Sequence, residues 1–244
     1  MTMHRLLVST ATLLDDRAEL PPEAARHLKV LRPRSGEELE LFDGRGRSRV
    51  YAWRPEGIFA AGTVREFAPP RTKLTLFACV TKGSRWDWTI EKAVELGVGR
   101  IVPVLSDRSI VRIPAAERPS KAERWRRIAE DAARQSHAVW LPEVLPGVDF
   151  PQALELVKEC AGVFTGALTD PPPPPMAAAV TQRLAADRAE SEWGVFTGPE
   201  GDFTPEELSA LLAVSTPVSL GPTVLRAETA AIFGLSVLSA MLNG

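Results

Sequence analysis

The chain has 244 residues, of which 45% are hydrophobic and 25% are charged, a composition typical of a globular protein with room for two domains. No apolar run reaches membrane-spanning length, and the first residues lack the unbroken apolar core of a signal peptide. The cysteines Cys79 and Cys160 and the three histidines lack metal-site spacing. These features predict a cytoplasmic protein with reduced thiols, no metal and no membrane contact.

The net charge of −2 is unevenly distributed along the chain. Residues 1–140 carry 25 Lys and Arg against 18 Asp and Glu, whereas residues 141–244 carry 4 against 13. A basic first part is suited to contacts with phosphate, with the acidic remainder facing away. A solvated imbalance without function is the alternative interpretation.

Residues 1–69 have the pattern of a small β-rich domain. The predicted strands are 5–9, 38–42, 49–53 and 57–67, with one helix at 22–31. Many short strands with a single helix are typical of a compact barrel. Basic side chains cluster on or beside that helix, as phosphate-binding surfaces do: Arg26, His27, Lys29, Arg32 and Arg34. A solubilising helix face would give the same cluster.

Pro69 and Pro70 mark a boundary, and from residue 72 strands and helices alternate. The predicted strands are 73–80, 100–105, 162–168, 193–197 and 218–220, and the predicted helices are 86–96, 120–137, 150–160, 177–189, 204–212 and 228–242. Such alternation predicts a mostly parallel α/β sheet covered on both faces. Residues 170–175, five of them proline, form a stiff spacer.

Two loops at predicted strand ends, 198–202 and 221–227, each open with Gly-Pro. Ligands of open α/β sheets bind at the carboxyl ends of strands, so two such loops predict a pocket, with the end of strand 162–168 as its third wall. Thr204 and Glu207 form a capping box for the helix that follows the first loop. A well-made turn without a ligand would need the same residues.

Charged residues stand at the edges of this predicted pocket. Arg226 and Glu228 lie at the mouth of the last, apolar helix, and charges at the edge of an apolar pocket usually orient a ligand. Lys82 and Arg85 follow strand 73–80 and precede a helix, a suitable place for a substrate phosphate.

Five stretches resemble the signatures of the RsmE family, the bacterial 16S ribosomal RNA uridine N3-methyltransferases of the SPOUT superfamily. They are GPEGDF (198–203), LGPTVLRAETA (220–230), RHLKVLRPRSGEELELFDGRG (26–46), KGSRWDWTIEKAVELGVGRIVPV (82–104) and ERWRRIAEDAARQSHAVWLPEV (123–144). Three positions depart from the family pattern: Asp202 where glycine is usual, Thr223 where arginine is usual, and Ala227 where threonine is usual.

The resemblance implies a PUA-like RNA-binding β-barrel at 1–69 and a SPOUT methyltransferase α/β domain with a trefoil knot at 72–244. It further implies a homodimer that uses S-adenosylmethionine and no metal to methylate N3 of a uridine in 16S ribosomal RNA of the small subunit, without binding DNA. The alternatives are a non-catalytic RNA-binding assembly factor and a methyltransferase of another RNA, such as transfer RNA.

The residue patterns and the resemblance together assign residues to three roles. The catalytic candidates are Arg226, Glu200 and Glu228. The cofactor-binding candidates are Leu168, Thr197, Gly198, Pro199, Glu200, Gly201, Leu220, Gly221, Val224, Leu225, Arg226, Thr229 and Ala230. The RNA-binding candidates are Arg26, His27, Lys29, Arg32, Lys82, Arg85, Gln135 and Ser136.

Chemistry distinguishes these roles only in part. Uracil N3 carries a proton at neutral pH, so its methylation needs a base or a group that stabilises the resulting enolate. Arg226 is the expected charge-stabilising group, and Glu200 and Glu228 are equally eligible as the base or as loop anchors. Arg226 could instead pair with one of these glutamates and only brace the loop.

Overall fold

The computed structural model describes residues 3–186 and 192–243, which form two compact units. One unit contains the described residues up to 69 together with 130–141, and the other contains 70–129 and the described residues from 142 onward. Residues 130–141 fall inside the predicted C-terminal domain 72–244 but group with the N-terminal residues.

The first unit is built on a five-stranded sheet in the order β1-β2-β3-β4, with β5 paired to β3. Its elements are β1 (His4–Leu7), α1 (Thr10–Leu14), α2 (Pro22–Leu31), β2 (Glu38–Phe42), β3 (Arg47–Arg54), β4 (Gly57–Ala60) and β5 (Arg65–Glu66). Strands β1 and β2 are parallel, and the other pairs are antiparallel. The Tyr51 ring is buried in its core, and the hydroxyl donates to the carbonyl of Leu13 at 2.7 Å.

Residues 130–141 join this unit through backbone groups. Buried Arg5 pairs with Glu40 at 2.7 Å and also donates to the carbonyl of Ala133 at 2.8 Å. The amide of Leu141 donates to the carbonyl of Gly44 at 3.0 Å. These contacts satisfy polar groups of segments far apart in sequence, which is why a boundary drawn from local composition misses them.

The second unit is a parallel sheet in the order β12-β10-β11-β6-β7-β8, with β9 also paired to β7. Its strands are β6 (Lys73–Cys79), β7 (Arg100–Leu105), β8 (Glu143–Val144), β9 (Val148–Asp149), β10 (Gly162–Gly166), β11 (Glu192–Thr197) and β12 (Thr216–Val218). Its helices are α3 (Ser84–Glu95), α5 (Phe150–Val157), α6 (Met176–Ala186), α7 (Pro205–Leu212) and α8 (Ala227–Leu242), and α4 (Arg118–Ser136) contributes residues to both units. The predicted parallel α/β sheet is confirmed.

Aromatic rings fill one face of the second sheet. Phe77 and Phe196 stack at 5.6 Å on neighbouring central strands. Phe150 and Phe203 each pack edgewise against Phe196 and are tilted against each other. Phe203 directly follows the loop after β11, so the core fixes the far end of that loop. The predicted capping box of α7 is confirmed, because Thr204 and Glu207 each accept a hydrogen bond from the other's amide at 3.1 Å.

Most differences between predicted and observed elements lie at their ends. The strand predicted over 57–67 is two short strands, and helix α1 was not predicted. The strands predicted to reach 168 and 220 end at Gly166 and Val218. The helix predicted over 177–189 is observed over Met176–Ala186, and residues 187–189 lie outside the described part. Within the described residues, no helix is both long and apolar enough to cross a membrane.

Candidate active site

Three adjacent strands, β12, β10 and β11, end at the same edge of the second sheet, and their loops line a cleft of about 550 Å³. The first wall is Gly166, Ala167 and Leu168, after β10. The second wall is Gly198, Pro199, Glu200 and Asp202, after β11. The third wall, within 218–227 after β12, continues into the first turn of α8. Arg85 of α3 completes the lining.

Most of the predicted cofactor-binding residues line this cleft. They are Leu168, Gly198, Pro199, Glu200, Leu220, Gly221, Val224, Leu225, Arg226 and Ala230. Three others do not. Thr197 is buried at the end of β11, Gly201 lies against the backbone of Arg108, and Thr229 is exposed on α8.

Seven lining residues were not among the predicted site residues: Gly166, Ala167, Asp202, Val218, Ser219, Thr223 and Ala227. The sequence interpretation assigned Gly166, Ala167, Val218 and Ser219 to the strands 162–168 and 218–220, so these four were not considered as loop residues. The available signal was Gly166 itself, since a glycine within an apolar run often marks a close approach of another chain segment. A Cβ at Gly166 would lie 2.7 Å from Leu220, so glycine lets the first and third walls meet.

Two loop residues adopt left-handed backbone conformations. Asp202 has φ of 59°, and its carboxylate accepts the amide of Phe203 at 2.8 Å. Aspartate tolerates this region better than most residues, so the departure from glycine at 202 keeps the turn. Gly221 has φ of 135°, which is open to glycine and strained for a residue with a side chain.

Glu200 is ion-paired within the cleft. Its carboxylate lies 3.3 Å from the guanidinium of Arg85, at the start of α3. Arg85, predicted to bind RNA, therefore lies in the cleft wall and neutralises the carboxylate there. The pair is partly exposed to solvent, so its contribution to stability is small.

Arg226 occupies the N-cap position of α8 and is exposed. Its carbonyl accepts the amide of Ala230, which holds the backbone in place, but among the described residues its guanidinium makes no ion pair. The ion pair with Glu200 or Glu228 through which Arg226 would brace the loop is not observed among the described residues.

Glu228 lies in the first turn of α8 and is partly buried. Its Oε2 atom is shielded from solvent and has no hydrogen-bond partner among the described residues. The helix N-terminus favours its negative charge, but a buried unpartnered carboxylate oxygen needs a donor. Glu228 does not line the cleft.

The remaining predicted RNA-binding residues divide between the two units. Lys82 is exposed between β6 and α3 in the second unit. In the first unit, Arg26, His27, Lys29 and Arg32 are exposed on or just after α2, and Gln135 and Ser136 end α4. Partial desolvation of the imidazole, followed by smaller effects of Arg134 and His4, lowers the pKa of His27, so this side chain is mainly neutral at pH 7 and adds little charge to the surface.

The described residues hold no group of three or more His, Cys, Asp or Glu able to bind a metal ion. Burial raises the pKa of the Cys79 thiol to about 12, and burial followed by Glu192 raises that of Cys160 to about 11. Both thiols are therefore protonated and unreactive at neutral pH.

A model of the RNA methyltransferase domain matches residues 68–239, the part of the chain that forms the parallel sheet and its cleft. The chain therefore belongs to the RNA methyltransferase family.

Curated relatives narrow the assignment. The chain is 32% identical to the ribosomal RNA small subunit methyltransferase E of Synechocystis over 98% of this chain and 78% of that protein. It is 31% identical to the protein of the same name from Mycobacterium bovis over 88% of this chain and 82% of that protein. Within the RNA methyltransferases it is a member of the ribosomal RNA small subunit methyltransferase E family, so the resemblance to the RsmE family is confirmed.

Solved structures agree with this assignment. The enzyme of the same name from Neisseria gonorrhoeae, bound to S-adenosyl methionine, superposes with a TM-score of 0.79 at 27% identity, covering 98% of each chain. A putative methyltransferase from Legionella pneumophila, in complex with the cofactor SAM, superposes with a TM-score of 0.80 at 29% identity, covering 99% of this chain and 98% of that one.

Proposed function

We propose that this protein transfers the methyl group of S-adenosylmethionine to N3 of a uridine in the 16S ribosomal RNA of the small subunit. The observation that carries the proposal is the three-walled cleft at the carboxyl edge of the sheet, where Arg226 has no ion pair among the described residues. Relatives that match the chain over almost its full length bind this donor. We propose that the reaction takes place in the cytoplasm and that the ribosomal RNA is the methyl acceptor.

The cleft has the features that the donor requires. Leu168 and Val224 line it and are 66% and 76% exposed, so they offer apolar surface for a ligand to cover. Gly198 packs against the ring of Phe203, and Gly221 keeps its backbone accessible, so main-chain groups can approach a nucleoside. When bound, the donor supplies a methyl group already activated by its sulfonium, so the chain's task is alignment and charge stabilisation.

The proposed roles of the charged residues follow from their surroundings. The guanidinium of Arg226, which lines the cleft, stabilises the enolate oxygen that forms as uracil loses its N3 proton. Glu200 lines the cleft, and the other carboxylate of the lining, Asp202, accepts the amide of Phe203. We therefore assign the proton acceptor role to Glu200, with Arg85 balancing its charge. Glu228 positions the first turn of α8, and its Oε2 atom, which has no hydrogen-bond partner among the described residues, accepts a hydrogen bond from a partner subunit.

Two surfaces are proposed to hold the RNA by its phosphates. One is α2 and the residues after it in the first unit, which we propose is a PUA-like barrel domain. The other is Lys82 and Arg85, at the start of α3 beside the cleft. We propose domain limits of 1–69 and 72–244, with the second domain of the SPOUT type and knotted, and no role for DNA.

The direct test is a methylation assay on small subunits and on free 16S and transfer RNA, followed by mapping of the modified base. N3-methyluridine in 16S ribosomal RNA that depends on the donor is the expected product. Methylated transfer RNA alone would favour the alternative RNA substrate. RNA binding without transfer to any RNA would favour a non-catalytic assembly factor.

A charge reversal at Lys82 tests the proposed phosphate contact. We expect Lys82→Glu to raise the KM for RNA about fivefold and to reduce the slope of log KM against log salt by about one, because one phosphate contact is lost. The kcat should change little. Lys121→Glu is the matched control, since Lys121 is exposed on α4 of the same unit and lines no part of the cleft. Equal effects of the two substitutions would contradict a specific contact.

Exposed aromatic side chains support a homodimer. Trp88 on α3 and Phe233 on α8 are 41% and 42% exposed, on helices that pack against each other. We propose that a two-fold partner covers them. Sedimentation should give a dimer at micromolar concentration, and Phe233→Glu should shift it toward monomer, whereas Leu14→Glu, at an exposed leucine of the first unit, should not. A monomeric wild-type protein would contradict the proposal.

A further inference from the structure

The proline run 171–175 connects two walls of the cleft. It begins shortly after Leu168 in the first wall, and Pro175 pairs with Ser219 of the third wall as a parallel β-bridge. Four of its five prolines, all except Pro173, are exposed, so burial of apolar surface does not account for them.

The hydrogen bonds of this bridge suit proline. The amide of Ser219 donates to the carbonyl of Pro174 at 2.9 Å, and the amide of Met176 donates to the carbonyl of Ser219 at 3.0 Å. The bridge uses the carbonyl of Pro174 and the amide of Met176. It therefore requires no amide donor from Pro174 or Pro175, and proline has none.

Ser219, held by this bridge, in turn contacts the residues that follow it in the third wall. Its hydroxyl lies 3.2 Å from the carbonyl of Gly221 and 3.4 Å from the amide of the same residue. Leu220, which lies between Ser219 and Gly221 in the sequence, packs against Gly166 of the first wall. Any shift of Ser219 therefore moves the backbone that borders the cleft.

Proline makes this connection stiff before any ligand binds. Its ring fixes φ near −65°, and consecutive prolines stay extended without internal hydrogen bonds. At the start of the run, the hydroxyl of Thr169 donates to the carbonyl of Pro171 at 2.9 Å, which restrains the first proline locally, and at its other end the run is held by the bridge to Ser219. The run is thus not free to serve as a docking peptide along its whole length.

We propose that residues 171–175 act as a strut that holds the third wall in its donor-binding geometry and thereby sets the affinity for the donor. A wall ordered in advance does not have to be ordered on binding, and this preorganisation increases affinity. The inference rests on the proposed function for the identity of the donor. The prolines act through Ser219 and Gly221 and are positioning residues.

The test replaces Pro172, Pro173 and Pro174 together by glycine and measures S-adenosylmethionine binding by calorimetry, with kcat and both KM values. We expect the donor Kd and donor KM to rise about fivefold, while kcat at saturating donor and the KM for RNA stay within about twofold. The same three positions changed to alanine should give a smaller rise, because alanine is less flexible than glycine. Pro146→Gly is the control, at an exposed proline that lines no part of the cleft.

An unchanged donor Kd together with a lower Tm would overturn the proposal, because the run would then stabilise only the fold. If the triple glycine variant does not fold, Pro174→Gly alone decides the matter in the same way, with a rise in Kd of about twofold expected. Failure of the wild-type protein to bind the donor would overturn the proposed function itself, whereas equal binding by wild type and variants would overturn only the strut.

Discussion

Arg226→Ala is expected to lower kcat by about 10²–10³-fold at saturating donor and RNA, the usual scale for removing one group that stabilises transition-state charge. The guanidinium stands at the cleft without an ion pair among the described residues, so it is free to act on the substrate. Donor affinity should change much less than turnover. Steady-state kinetics together with calorimetry of donor binding separate the two effects.

Arg108→Ala is the matched control for loop bracing. Arg108 donates to the carbonyl of Phe203 at 3.1 Å, and its backbone packs against Gly201, so it supports the second wall without lining the cleft. Its loss should lower stability and donor affinity, with near-normal kcat at saturation. If Arg226→Ala shows this same pattern, Arg226 is a loop brace and its catalytic role is wrong. Arg226→Lys should restore only part of the rate, because lysine lacks the planar fork of donors.

Gly221→Val is expected to weaken donor binding at least tenfold, or about 1.4 kcal/mol. Gly221 has φ of 135°, and a β-branched residue reaches this region only at a cost of about 1–3 kcal/mol. No heavy atom lies within 4 Å of the Cβ position, so the effect would come from the backbone rather than from a clash inside the protein. Relief of the strain would shift the third wall and close or distort the donor site.

Gly97→Val separates backbone strain from cleft geometry. Gly97 also has a positive φ, 77°, with nothing within 4 Å of the Cβ position, and it lies in the turn after α3, outside the cleft. Both substitutions should lower the Tm, but only Gly221→Val should raise the donor Kd. Wild-type donor affinity in a folded Gly221→Val protein would contradict the proposed placement of the donor.

Local signals predicted the elements that depend on local chemistry. The box around Thr204 and Glu207, the two Gly-Pro loops and the parallel sheet all follow from residue types and spacing that act within a few positions. The cleft itself also follows, because loops at the carboxyl ends of adjacent parallel strands must meet.

Contacts between distant segments could not be predicted in this way. Nothing near Glu200 indicates that Arg85 pairs with it, and nothing near Ala133 indicates that Arg5 binds its carbonyl. The predicted ends of β10 and β12 were wrong for a related reason. Both strands stop where the first and third walls meet, and this depends on the contact between Gly166 and Leu220, which are far apart in sequence. The proline run looked like a spacer because its partner, Ser219, lies far along the chain.

The pairing of β6 with β11 has a consequence for synthesis of the protein. Leu74, Leu76 and Phe77 of β6 are fully buried in the finished sheet, yet β11, which covers one edge of this strand, begins only at Glu192. A ribosome adding about 5–20 residues per second needs roughly 6–20 s to make the chain between them. Throughout that interval β6 presents an apolar, unpaired edge, the kind of edge that promotes aggregation. Covering this strand during synthesis would therefore reduce aggregation of the nascent chain.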